Sequence, residues 1–126
     1  MFGEKAIYGN YEKTLDVKGR MALPSVTQAE VGDELFLMTY RNGVKVIAKR
    51  TVESKIRLLN AQIKALQFED PKEADQLTRE RDSIYDSIIR EVVVDGNKRI
   101  NTHNVFGEDK DIVAIGYSDS LVLKKR

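Results

Sequence analysis

Asp16-Val17-Lys18-Gly19-Arg20, followed by Met21-Ala22-Leu23-Pro24, decides how this chain is read, because its frame returns at Asp95-Gly96-Asn97-Lys98-Arg99 before Ile100. Each copy runs Asp, three residues, Arg, with a Lys inside the spacing. Each also follows a β-prone segment, residues 13–15 in the first and 92–94 in the second. The match continues downstream. Residues 35–40 align with 112–117, the turn 41–43 with 118–120, and 44–46 with 121–123 without a gap; only the connecting loop differs, by two residues. Self-similarity over this much chain indicates an internal duplication.

At 126 residues and 14.3 kDa the chain is expected to be one compact domain of three parts: a first repeat over 1–50, a helical hairpin over 51–92 and a second repeat over 93–126. Each repeat is too short to bury a comfortable core, so mutual packing or oligomerisation is expected. There is no Cys, which excludes disulfides and thiolate metal sites and leaves the cytoplasm as the default compartment. No long apolar run follows Met1, so neither a signal peptide nor a membrane span is expected. The net charge is +1, but it is unevenly spread: 8 Lys and Arg against 6 Asp and Glu in 1–50, 7 against 9 in 51–92, and 6 against 5 in 93–126. Both repeats are mildly basic around an acidic middle.

Ile7, Tyr8, Tyr11 and Leu15, interrupted by Gly9-Asn10, predict short strands broken by a turn. Pro24 ends sheet pairing and suits a helix start, so about two helical turns are expected over 25–31, closed by Gly32-Asp33. Asn42-Gly43 between two apolar runs predicts a hairpin whose turn uses positive φ. Val52, Ile56, Leu59, Ile63 and Leu66 then predict an amphipathic helix over 51–69, with a Glu53–Arg57 pair on one face. Asp70-Pro71-Lys72-Glu73 carries an N-cap acceptor, a Pro at the first helical position and a capping-box Glu. A second helix follows, with a stripe of Ala74, Leu77, Ile84 and Ile88 and with Tyr85 and Ile89 beside it. The second repeat has no room for a helix before Glu108, and the basic end Lys124-Lys125-Arg126 is expected to fray.

Arg20 and Arg99 carry the chemistry of interest. A guanidinium fork can hold phosphate oxygens, or the O6 and N7 acceptors of guanine, through two parallel hydrogen bonds. Asp16 and Asp95, four residues earlier across a tight turn, are suited to accepting backbone N–H bonds or orienting the Arg. The competing reading is an internal ion pair that only fixes the turn. Lys18 and Lys98 would add phosphate contacts without reading sequence.

Catalytic machinery is not apparent. His103 is the single His, no Gly-rich phosphate loop occurs, and Glu108, Asp109 and Asp111 lack the further ligands of a calcium loop. No enzyme activity, cofactor or small-molecule substrate is expected.

From Tyr8 through the Asp16-to-Arg20 motif to Pro24 the sequence resembles the MraZ family, bacterial relatives of the AbrB and SpoVT regulators. The order of parts, including the second motif and residues 111–116, extends the resemblance over nearly the whole chain. It implies an α+β fold: two pseudo-symmetric AbrB-like swapped-hairpin β half-barrels sharing one core, with a two-helix hairpin between the repeats. It further implies a cytoplasmic, nucleoid-associated regulator that assembles as a homo-oligomeric ring. Such a ring would bind double-stranded DNA at short direct repeats upstream of a cell-division and cell-wall gene cluster. The family's DNA-contact motif falls on Asp16 and Arg20 and on Asp95 and Arg99. The sequence departs from the family around His103, where a Pro is usual, and at Gln28, where an Arg is frequent. A scaffold ring that has lost DNA binding and an AbrB-type antitoxin are the alternatives.

Overall fold

In the computed structural model, which describes residues 1–126, each half of the chain lends a strand to the other. The first half contains β1 (Asn10–Thr14), β2 (Arg20–Ala22), β3 (Glu34–Tyr40) and β4 (Gly43–Ala48). Helices α1 (Lys49–Leu66) and α2 (Pro71–Ser87) follow, and then β5 (Ile88–Val93), β6 (Arg99–Asn101), β7 (Asp111–Tyr117) and β8 (Ser120–Lys125). Six strands form one antiparallel sheet in the order β1-β7-β8-β4-β3-β5, and β2 pairs with β6 in a separate ribbon. Thus β1 lies against the second half's hairpin and β5 against the first half's. The fold is mixed α+β, with two helices and a mostly antiparallel sheet.

Exchanging each strand for its counterpart in the other half reverses the sheet order onto itself, so the halves are related by a pseudo-twofold axis. The register obeys the same operation. Thr14 faces Asp111 where Val93 faces Glu34, and Val44 faces Leu123 where Val46 faces Leu121. Met21 faces Ile100 and Lys45 faces Val122, each pair made of two equivalent positions, which places the axis through both. Between them lies the core. Leu15, Met21, Leu35, Leu37, Val44 and Val46 are buried in one cluster with Val94, Ile100, Ile112, Ala114, Leu121 and Leu123. Neither half has a core of its own, as the lengths of the repeats require.

The amphipathic alternation of β3 directs Leu35 and Leu37 inward and Phe36 and Met38 to the opposite face, where the base of the helical hairpin covers them. Ile47, Val52, Ile56, Ile84 and Ile88 complete this second cluster. Asp70 caps α2 by accepting the Glu73 N–H at 3.2 Å, with Pro71 at the first helical position. The α1 stripe is buried at Val52, Ile56 and Leu59 and only half-buried at Ile63 and Leu66. No helix is long and apolar enough to cross a membrane.

Several sequence expectations are corrected. Ile88 and Ile89 belong to β5, not to α2: β-branched residues fit a pleated strand, and the open edge of β3 supplies the hydrogen bonds. The helix expected over 25–31 is a single 3-10 turn, Ser25–Thr27, ended by Gln28 at φ 56°. In the first hairpin the positive φ falls on Arg41 (50°), and Gly43 is needed for another reason, since a Cβ there would collide with the Leu123 carbonyl of β8. Arg57 donates to Ser54 Oγ rather than pairing with Glu53. The basic end is ordered: β8 runs to Lys125, and the Arg126 N–H bonds the Asp111 carbonyl at 3.2 Å. The N-terminal residues are also anchored. Phe2 is fully buried, its N–H donates to Asp33 Oδ2 at 2.8 Å, and its carbonyl accepts from Arg50 Nη2 at 2.6 Å.

Candidate nucleic-acid interface

The two Asp-x-x-x-Arg segments are tight turns that lead into β2 and β6. In the first, Asp16 Oδ1 accepts the N–H groups of Lys18 and Arg20, both at 2.9 Å. The backbone closes around it through Asp16 N–H to the Arg20 carbonyl at 3.1 Å and Gly19 N–H to the Asp16 carbonyl at 2.9 Å. The second turn repeats the pattern. Asp95 Oδ1 accepts from Asn97 and Arg99 N–H at 2.9 Å each, Asp95 N–H reaches the Arg99 carbonyl at 3.0 Å, and Lys98 N–H reaches the Asp95 carbonyl at 3.0 Å. Short acidic side chains that bond the backbone two and four residues on are what an Asp-initiated turn requires.

Each turn is held by the segment beyond the other half's strand. The Gly19 carbonyl accepts the Thr102 N–H at 2.9 Å, and the Lys98 carbonyl accepts the Leu23 N–H at 3.1 Å. The buried Thr102 hydroxyl adds a bond to the Gly19 carbonyl at 2.7 Å. Sequence reading did not single out Thr102, since an isolated Thr in a polar loop carries no signal of burial.

On the β2–β6 ribbon Met21 and Ile100 point into the core, so period-2 alternation places Arg20, Ala22, Arg99 and Asn101 on its outer face. Arg20 sits opposite Asn101, and Ala22 sits opposite Arg99. Lys18 and Lys98, both exposed, lie in the flanking turns. All six residues proposed from sequence are thus brought together at one end of the pseudo-twofold axis. Ala22 and Asn101 were missed, although the alternation Arg-Met-Ala and Arg-Ile-Asn would have found them.

Arg20 Nε lies 2.7 Å from Asp16 Oδ2, and Arg99 Nε lies 3.3 Å from Asp95 Oδ2. Arg99 Nη1 also comes within 3.6 Å of Asp16 Oδ2. The turn-fixing ion pair is therefore real. It engages Arg20 only through Nε, so both terminal amino groups of its fork remain free to donate. The Arg20 N–H, then the Arg20 side chain and the Lys18 N–H, hold the Asp16 carboxyl down at about 2 against the opposing effect of desolvation. Asp95 is also lowered, by the Arg99 and Asn97 N–H groups and by the charges of both Arg99 and Arg20. Both carboxylates stay ionised through the physiological range.

His103 is exposed in the loop beyond β6, with Nδ1 3.3 Å from Arg90 Nη1; desolvation and that cation lower its pKa. Asp109 pairs with Lys125 at 3.0 Å and Asp111 lies 3.8 Å from Arg126, so these acids are occupied within the protein.

No family model matches the chain. One stretch of 39 residues, 31% of the chain, is 41% identical to the transcriptional regulator MraZ of Mycoplasmopsis pulmonis. The match spans about a quarter of that relative's length, 26%. The chain is therefore similar in part to a transcriptional regulator.

Proposed function

We propose that this chain is a DNA-binding transcriptional regulator, not an enzyme, and that it reads duplex DNA with the outer face of the β2–β6 ribbon. The observation that carries this reading is the juxtaposition of Arg20 and Arg99 on a two-stranded antiparallel ribbon flanked by Lys18 and Lys98. A ribbon of this kind fits the B-DNA major groove, where Arg can pair with guanine O6 and N7. Lysines at the ribbon's ends would meet the phosphates on either side. The partial likeness to a transcriptional regulator supports the same conclusion.

In this reading the exchanged strands make two AbrB-like half-barrels, and the protein acts as a homo-oligomer, in ring form, on short direct repeats upstream of a cell-division and cell-wall gene cluster in the nucleoid. One protomer offers few cations, so repeated sites engaged together would raise the apparent affinity by a factor of roughly 100 to 10,000. Exposed Leu58 and Phe68 on the helical hairpin provide apolar surface for self-association.

The test is a binding titration against the DNA upstream of the protein's own gene at several salt concentrations, with wild type, Arg20→Ala and Arg99→Ala. Selective binding that weakens steeply with salt, and a loss of about 1 to 3 kcal/mol in each variant, is expected. A folded oligomer with no preference over random DNA would replace this reading with that of a scaffold.

A further inference from the structure

The two turns share their backbone hydrogen bonds, but their ion pairs break the symmetry. Asp16 Oδ2 faces both arginines, Arg20 Nε at 2.7 Å and Arg99 Nη1 at 3.6 Å. Asp95 Oδ2 meets Arg99 alone, at 3.3 Å, and Arg99 Nε is buried without a hydrogen-bond partner. Asp16 divides its work between its oxygens: Oδ1 is taken up by the Lys18 and Arg20 N–H groups, and Oδ2 is left for the guanidinium groups.

We propose that Asp16 is a positioning residue shared by Arg20 and Arg99, so that the two Asp-x-x-x-Arg motifs form one composite recognition site rather than two independent ones. Two long side chains already aimed by a carboxylate lose less rotamer freedom on binding than two left unrestrained. Arg20 in turn acts on Asp95 through its charge alone, which helps to hold that carboxylate ionised. The second motif then needs no groove of its own: its Arg completes the site built by the first.

The proposal rests on the DNA-binding reading for its consequence but not for its geometry, and the two can fail separately. In the free protein, NMR titration of the Asp16 carboxyl is compared among wild type, Arg20→Ala and Arg99→Ala. Both variants are expected to raise its pKa, Arg20→Ala more; an unchanged value in Arg99→Ala overturns the shared role. On DNA, affinity is measured for the duplex best retained from a random-sequence pool and for a scrambled duplex of equal composition. Asp16→Asn keeps an Oδ1 acceptor for the turn but replaces Oδ2 with a donor, and it is expected to reduce the affinity ratio roughly tenfold, with Asp95→Asn reducing it less.

Arg20→Ala and Arg99→Ala combined are expected to cost less than the sum of the two single effects. Additive losses would mean two separate sites and overturn the proposal. Should Asp16→Asn fail to fold, the arginine cycle decides. A wild type that retains no duplex over scrambled DNA overturns the DNA-binding reading, while the titration still judges whether Asp16 is shared.

Discussion

The first turn places Gly19 at φ 78° and the second places Lys98 at φ 55°, yet both close the same set of backbone hydrogen bonds around an Asp. The difference lies in their surroundings. Gly19 is buried, and a Cβ there would sit 3.4 Å from Thr102 Oγ1, whereas Lys98 faces solvent and its side chain has room. A left-handed conformation costs a residue with a Cβ about 1 to 2 kcal/mol, a cost the second turn bears while gaining an exposed cation. The repeat is therefore conserved within the molecule at the level of hydrogen bonding, and local packing decides which residue carries each position. Beyond the turns the halves diverge: Pro24 and the 3-10 turn in the first are replaced in the second by a run of hydrogen-bonded turns over 102–109, with His103 and Asn104 at positive φ.

The core where the halves meet gives the strongest test of their equivalence. Met21→Ala and Ile100→Ala remove facing, fully buried side chains on the axis, and each is expected to destabilise the whole domain by about 2 to 5 kcal/mol in a single urea transition. If either variant unfolds one half while the other stays folded, the shared core is refuted.

Exchanging the residues at the left-handed positions sharpens the contrast between the turns. Gly19→Lys should cost about 1 to 2 kcal/mol from φ alone and more where it presses on Thr102. Lys98→Gly should be neutral or stabilising while weakening DNA binding at low salt. Equal destabilisation by both, read from thermal midpoints, would show that packing does not distinguish the two turns.

Acid titration asks the smallest question, how differently the two carboxylates are held. Asp16 and Asp95 have folded pKa values below that of an unfolded Asp, so the stability they contribute is fully present above about 4 and is lost as pH falls. For Asp16 the loss runs down through about 2. Asp16→Asn should flatten the acid limb of stability against pH, and Asp95→Asn should flatten it less. Identical limbs for the two variants would argue against a stronger hold on Asp16.

Much of the candidate site was legible because it is local. An Asp that bonds the N–H groups two and four residues later makes its turn within five residues, and the duplicated hairpins announce themselves by alternation and turn residues. The N-cap at Asp70 was readable for the same reason. The errors fell where a distant partner decides: Ile88 and Ile89 continue a helical stripe until β3 offers an open edge, Lys124 and Lys125 look free until β7 pairs with them, and Asp33 looks like a turn residue until the Phe2 N–H arrives.

By itself the sequence determined the duplication, the two turns and the helical hairpin, and it placed the six charged residues of the candidate site at those turns, because each depends on contacts a few residues apart or on a repeated pattern. Only the tertiary structure decided that each half takes its outer strand from the other, that β2 and β6 meet in one ribbon, and that Arg99 comes within reach of Asp16. Those outcomes depend on contacts between residues far apart in the chain, from Met38 with Ile88 to Asn10 with Ile115, and they follow from the physical need of two short repeats to bury a single core between them.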